Sequence, residues 1–214
     1  MSWRIIVVGG HTRSIGKTQL VCDLIAAFPQ AAWVAGKITQ YGHGVCAQNG
    51  HDCDCAPDEH VCAISWERSA SDTDSGRFLA AGANSSFWLR TKQGFLAEGL
   101  PLLRQALREL DTGTEEPARN LILESNTLLQ FLKPLLYLMV LDPTKSDFKD
   151  SARIQMDRAS AFVLRAPLRN GPAAPQAQKF SRTPQFLQRE GEPLPAELLA
   201  QVQSTLAIPE GIAL

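Results

Sequence analysis

Arg4-Ile5-Ile6-Val7-Val8-Gly9-Gly10-His11-Thr12-Arg13-Ser14-Ile15-Gly16-Lys17-Thr18 is the stretch on which the reading of this chain turns. Residues 4–8 form a short, mostly β-branched run, apolar at every position after Arg4, as in a strand covered on both faces. From residue 17 the period becomes helical, with Leu20, Val21, Leu24, Ile25 and Phe28 on one stripe and Pro29 as the stop. A glycine-rich turn between strand and helix, closing on Gly-Lys-Thr, is the context of a phosphate-binding loop. Successive backbone N–H groups in such a loop make a concave cradle for phosphate oxygens, and the helix N-terminus adds partial positive charge. Lys17 reaches the β- and γ-phosphates, and the Thr18 hydroxyl ligates the Mg2+ that bridges phosphate oxygens. The candidate nucleotide-binding residues are therefore Gly10, His11, Thr12, Arg13, Ser14, Ile15, Gly16, Lys17 and Thr18. Counted back from Gly16, the usual first glycine falls on His11. Either His11 takes that place or the loop from Gly10 is one residue longer.

Outward from this loop, strands alternate with helices. Residues 32–38, 86–90, 120–123, 135–141 and 160–164 read as strands. Residues 96–110 read as an amphipathic helix with Leu100, Leu103, Leu107 and Leu110 in register, 148–158 as a helix, and 195–206 as a terminal helix. Residues 111–117 read as a loop, and residues 165–184, rich in Pro, Gly, Ala and Gln, as a loop or linker. This alternation predicts an α/β fold, a mostly parallel sheet flanked by helices in three layers, with ligands beyond the carboxyl ends of the strands. Residues 1–165 form the nucleotide-binding domain, carrying a Cys/His-rich insertion at 41–66. Residues 166–214 form a linker and a helix packing on the same domain.

The 214 residues are 44% hydrophobic and 20% charged, enough for a core and incompatible with wholesale disorder. Lys and Arg number 21 against 22 Asp and Glu, so no basic footprint points to nucleic acid. The most apolar stretch, residues 121–141, is broken by Glu124, Asn126, Lys133 and Pro134, so no membrane span is expected. No secretory signal pattern opens the chain, and a cytoplasmic setting is expected, where cysteines serve as metal ligands or reactive thiols more often than as disulfides.

Acids and cations at strand ends complete the candidate machinery. Glu124 ends the run Leu121-Ile122-Leu123, where a carboxylate holds Mg2+ through water or orients an attacking water; a plain surface or helix-start acid is the alternative. Asp72 and Asp74 lie in a polar stretch that could equally be a helix-capping cluster. Lys37, at the end of the second strand, could meet phosphate or a substrate anion, or be a solvated lysine. Lys17, Asp74 and Glu124 are the candidate catalytic residues. Thr144-Lys145-Ser146-Asp147 has the letters of a guanine-reading motif but follows the strand at 135–141 rather than the last one, so the base stays open.

Four of the five cysteines and three of the four histidines fall between His43 and Cys62. Cys46, Cys53, Cys55 and Cys62, with His60 or His51 as alternates, suit tetrahedral zinc, whose binding would order a segment too polar to fold alone. An iron–sulfur cluster and a metal-free loop are the other readings. Cys22, on the first helix, reads as a small buried hydrophobe.

These pieces resemble a known family. Residues 5–18, then Gly36-Lys37-Ile38-Thr39, then Asp74-Ser75-Gly76-Arg77 with Ala81-Gly82-Ala83, then Leu123-Glu124-Ser125-Asn126, stand in the order seen in the molybdopterin-guanine dinucleotide biosynthesis protein B (MobB) family. That family lies within the P-loop GTPases that include the nickel-insertion proteins of hydrogenase and urease. The resemblance covers roughly residues 4–165. It implies a helix-flanked parallel sheet, binding of nucleotide with Mg2+, and often a homodimer. Carried over, Gly16, Lys17 and Thr18 hold phosphate and Mg2+, Asp74 sits near the metal, and Glu124 takes the acidic place. GTP is favoured over ATP only through this resemblance. The chain departs from the family at His11, in the Cys/His insertion, and in the guanine motif. The expected function is Mg-dependent GTP or ATP binding and hydrolysis, tied to assembly of a metal or molybdenum cofactor with a cofactor-biosynthesis protein as partner. The alternatives are a small-molecule kinase and a nucleotide-switched metal-trafficking module.

Overall fold

The computed structural model describes residues 2–42, 61–110, 119–168, 179–180, 182–209 and 211. Eight strands form one sheet: β1 (Trp3–Gly10), β2 (Val34–Tyr41), β3 (Cys62–Trp66), β4 (Ser85–Lys92), β5 (Arg119–Glu124), β6 (Leu136–Leu141), β7 (Ala161–Leu164) and β8 (Gln185–Leu187). Their order across the sheet is β3-β4-β2-β5-β1-β6-β7-β8. All neighbours pair in parallel except the edge strand β3, which is antiparallel to β4. The helices are α1 (Lys17–Ala27), α2 (Asp74–Ala80), α3 (Leu96–Glu109), α4 (Asp150–Arg153) and α5 (Ala196–Leu206). This is the mostly parallel, helix-flanked α/β sheet the alternation predicts.

A parallel sheet must be covered on both faces, because its crossover helices leave neither face to water. β1 shows how the sequence meets this demand: Trp3, Ile5 and Val7 enter one apolar cluster, and Ile6 and Val8 the other. Leu96, Leu103 and Leu107 of α3 pack in the first cluster. Leu20, Leu24 and Ile25 of α1, Phe78 of α2, and Leu198 and Val202 of α5 pack in the second. Each such side chain contributes roughly 1.5–3 kcal/mol on burial. α5 thus shares the core layer of α1.

Three local departures from the sequence reading have physical causes. The end of the Cys/His-rich insertion, residues 62–66, is the β3 edge strand, with Cys62 paired to Thr91. β8 extends the sheet just past the Pro-rich stretch. The helix expected at 148–158 is instead α4 followed by a 3-10 turn at Met156–Arg158. Lys149 is held extended at φ −64°, ψ 138°, with its N–H donated to the His11 carbonyl at 2.8 Å, so a tertiary contact sets the start of that helix.

β1 lies between β5 and β6, and the chain leaves it on one side and returns on the other. The carboxyl ends of β1, β5 and β2 meet there, where an open α/β sheet places its ligand.

Candidate functional site

The turn between β1 and α1 is narrow at its base. A Cβ on Gly10 would come 2.7 Å from Ile15 Cδ1 and 2.9 Å from Lys17 Cδ, so Gly10 is where the loop closes on itself. Asn126 clamps this residue: Gly10 N–H donates to Asn126 Oδ1 and Asn126 Nδ2 donates to the Gly10 carbonyl, both at 2.8 Å. His11 does not face the cradle as the usual first glycine would. It is fully buried, its ring 5.0 Å from that of Phe148, and burial lowers its pKa below the ordinary histidine value. At the far end Gly16 stands at φ +80°, the left-handed region that a Cβ disfavours, and α1 begins at the next residue.

His11 N–H donates to Val140 and Leu20 N–H to the Gly16 carbonyl. The amides of Ser14, Ile15, Gly16, Lys17 and Thr18 have no hydrogen-bond partner among the described residues. Five successive amides without a partner among the described residues, at a helix start, have the form of an anion cradle. The carbonyls of the same loop are taken up by cations. Lys17 Nζ donates to Thr12 O at 2.8 Å, Lys145 Nζ to Ser14 O at 2.8 Å, and Arg165 to both Ile15 O (3.1 Å) and Gly16 O (2.5 Å).

Beside the cradle, strand register sets Glu124 opposite Val8 on β1 and opposite Lys37 on β2. The Thr18 hydroxyl donates to Glu124 Oε2 at 2.6 Å. Lys37 Nζ lies 3.6 Å from Glu124 Oε1 and pairs closely with Asp74, the first residue of α2. Thr73 fixes that helix start by accepting from Gly76 N–H at 3.0 Å. Glu124 is 5% exposed. Burial is the largest influence on its carboxyl and pushes its pKa up, but Lys37, Lys17 and the Thr18 hydroxyl together outweigh it and hold it below the ordinary value. Glu124 is therefore a carboxylate at neutral pH, a hydrogen-bond acceptor rather than a stored proton. Lys17 is shifted down, by burial first and then by neighbouring cations, with Glu124 opposing.

The structure thus brings Lys17, Thr18, Lys37, Asp74 and Glu124 into one cleft of about 1640 Å³. It runs from Asp74 and Arg77 on the β2 side to Arg165 and Gln188 on the β7–β8 side. Thr144–Asp147 lies against the loop: besides the Lys145 contact, Asp147 accepts a close hydrogen bond from Thr12. Asp72 is exposed. Cys22 is buried, with its thiol pushed up to about 11 mainly by burial.

His43, Cys46, His51, Cys53, Cys55 and His60 lie outside the described residues. Cys62 is described; its Sγ is 3.4 Å from the Phe95 carbonyl. Among the described residues no group of three or more Cys, His, Asp or Glu is placed to hold a metal ion, and no helix is long and apolar enough to cross a membrane.

Four residues of the site escape the sequence reading as site residues. Arg165 stands directly after β7, and the rule that flagged Lys37 and Glu124 at strand ends applies to it equally. Asn126 lies within a family-like segment, but nothing in its spacing announces a clamp on Gly10. Lys149 and Gln188 carry no local signal.

No family model matches the chain, and no curated protein is significantly similar to it in sequence. Among solved structures it resembles HypB from Helicobacter pylori, solved in complex with nickel. The likeness covers all of this chain and 92% of HypB, with 14% identity and a TM-score of 0.53. The two chains share a helix-flanked α/β fold. At this identity the likeness speaks for the fold alone.

Proposed function

We propose that the chain binds a nucleoside triphosphate with Mg2+ and hydrolyses its β–γ phosphate bond. The observation that carries this reading is the Thr18–Glu124 hydrogen bond of 2.6 Å at the end of a loop whose five amides have no partner among the described residues. A hydroxyl, a buried carboxylate and a nearby second acid are hard oxygen donors, the set that suits Mg2+. Thr18 would ligate the ion directly, with Glu124 and Asp74 holding its water shell. When bound, Mg2+ neutralises charge on the β- and γ-phosphates.

The chain's own residues do the rest. The amides of 14–18 fix the phosphate chain, and Lys17 meets the charge that develops on the transferred group. Glu124, kept ionised, accepts a hydrogen bond from the attacking water and orients it. The water oxygen bonds to the γ-phosphorus, the bond to the β–γ bridging oxygen breaks so that its electron pair stays on the diphosphate, and both water protons leave with the released phosphate as H2PO4−. Lys37 bridges Asp74 and Glu124 and holds both carboxylates at the cleft.

Guanine is the favoured base. GTP is favoured over ATP through the resemblance to MobB-like sequences, while Thr144–Asp147 sits against the loop with the Asp147 carboxylate taken up by Thr12. The Cys46, Cys53, Cys55 and Cys62 set, with His60 or His51 as alternates, is proposed as a zinc site stabilising its segment. The nickel in the HypB structure and the resemblance to MobB-like sequences support a role in assembling a metal or molybdenum cofactor. A homodimer and a cofactor-biosynthesis protein partner in the cytoplasm fit that role.

The cleft supports a second reading. At about 1640 Å³ it exceeds the roughly 300–1,000 Å³ of an ordinary ligand pocket, leaving room for an acceptor beside the nucleotide. One experiment separates the readings: GTP and ATP turnover with Mg2+, following free phosphate and phosphate on added small-molecule acceptors. Free phosphate without acceptor, lost in Lys17→Ala, supports hydrolysis. Turnover only with acceptor supports the kinase. Absence of triphosphate binding overturns both.

A further inference from the structure

The geometry points to Arg165 as the positioning residue that aims the Gly16 and Lys17 amides into the phosphate cradle, held in turn by Gln188 of the C-terminal segment. The inference rests on the nucleotide reading above. Its basis is the planarity of the peptide group. In a trans peptide unit the C=O and N–H point in opposite directions, so fixing one aims the other. Arg165 Nε donates to Ile15 O at 3.1 Å, and that peptide unit carries the N–H of Gly16. Arg165 Nη2 donates to Gly16 O at 2.5 Å, and that unit carries the N–H of Lys17. With both oxygens turned to the guanidinium, both N–H groups turn away from it, and neither has a partner among the described residues.

A planar guanidinium can do this because its donors are set in a rigid fork, where a lysine ammonium would reach one oxygen at a time. A cationic donor also polarises each peptide group it touches and strengthens the N–H at the other end. The arrangement fits Gly16 tightly: a Cβ there would fall 2.7 Å from Arg165 Nη2.

Arg165 is itself held. Its Nη1 donates to Gln188 Oε1 at 2.5 Å and to the Gln188 carbonyl at 3.3 Å. Gln188 is 2% exposed, its N–H donates to Leu164 O at 2.9 Å, and its Nε2 donates to Asp23 of α1 at 3.1 Å. The segment after β8 thus ties the phosphate loop, β7 and α1 together. Nucleotide affinity depends on a part of the chain far from the loop in sequence.

The test uses the full chain with Mg2+-tripolyphosphate and Mg2+-GTP as probes, so that the cradle is read apart from any base contact. Arg165→Lys and Arg165→Ala are compared with the parent by titration calorimetry, thermal melting and amide NMR. Loss of a charge-assisted pair of hydrogen bonds predicts affinity about tenfold to a hundredfold weaker for both ligands in Arg165→Ala. Arg165→Lys loses part of that affinity while keeping a melting temperature near the parent's. In both variants the Gly16 and Lys17 amide resonances shift without ligand, and millimolar methylguanidinium restores affinity to Arg165→Ala. If Arg165→Ala does not fold, Arg165→Lys carries the same test. Parent-like affinity in a folded variant, or unmoved Gly16 and Lys17 resonances, overturns the inference. If the parent binds neither probe, the nucleotide reading falls, and the ligand-free resonances still decide the positioning role.

Discussion

Replacing Glu124 by glutamine keeps the shape of the site and removes its buried charge. In the parent, the carboxylate accepts from Thr18 at 2.6 Å and lies 3.6 Å from Lys37 Nζ. Stripping one partner from a buried ion pair costs about 3–5 kcal/mol when the other is left alone. Here Lys37 keeps Asp74, and Lys17 keeps the Thr12 carbonyl, so neither cation is abandoned. Relief of the carboxylate's desolvation offsets part of the loss as well. The expected cost at neutral pH is therefore about 2 kcal/mol, the scale of one charged hydrogen bond. For a chain of this size that lowers the melting temperature by roughly 4–8 °C. The pH dependence is the sharper signature. The folded pKa of Glu124 lies below its unfolded value, so its stabilisation is complete above the ordinary glutamate pKa and fades as pH falls through the folded value. The gap in melting temperature between parent and Glu124→Gln should stay level from pH 7 down to the ordinary glutamate pKa of about 4.3 and narrow only below it. Melting curves of both proteins at half-unit pH steps measure it. A gap that stays constant down to pH 3, or a variant as stable as the parent at pH 7, would refute the charge network described for this site.

Asn126→Ala removes both 2.8 Å bonds to Gly10, and should cost about 1–3 kcal/mol in thermal stability and weaken Mg2+-triphosphate binding by calorimetry. Lys149 lines the cleft, and its ammonium is pushed down to about 8 by burial first and then by Lys17 and Arg13. Its cation is present below pH 8 and lost above it, so triphosphate affinity should fall as pH rises from 7 to 9, with Lys149→Met weaker at pH 7 and flatter across the window. Because the folded pKa is the lower one, this group makes the ligand-free protein more stable as pH rises from about 8 toward the ordinary lysine value. For the proposed zinc site, elemental analysis of purified protein should find about one equivalent of metal, and chelation should speed amide exchange at residues 43–62 more than in β1; metal-free protein with unchanged exchange counts against the site.

Much of this architecture is legible in the sequence because it is written in local periods. The β-branched run before Gly9 and the helical stripe from Leu20 to Phe28 need no partner to be recognised. Glu124 enters the cleft from the end of β5 for the same reason, whereas Lys37 stands in mid-strand opposite it because β2 runs on to Tyr41 by pairing with β4. What escapes the sequence is set by contacts between distant segments. β3 follows a polar, glycine-rich stretch and forms only by pairing with β4. The helix expected from Phe148 onward starts only at Asp150, because Lys149 gives its N–H to His11 and stays extended. Asn126 and Arg165 act on the loop from more than a hundred residues away, through carbonyls and amides that no side-chain pattern reveals. His11 shows the reverse. Its letter breaks the familiar spacing, yet Gly10 meets the steric demand of the loop, and the imidazole is buried against Phe148.

Whether the main-chain amides of residues 14–18 hold a polyphosphate is decided by amide NMR of labelled protein titrated with Mg2+-GTP. Downfield shifts and slowed exchange are expected at Ser14, Ile15, Gly16, Lys17 and Thr18 at saturation, abolished in Lys17→Ala. Resonances of those five amides left unmoved by saturating ligand, in a protein still folded, would contradict it.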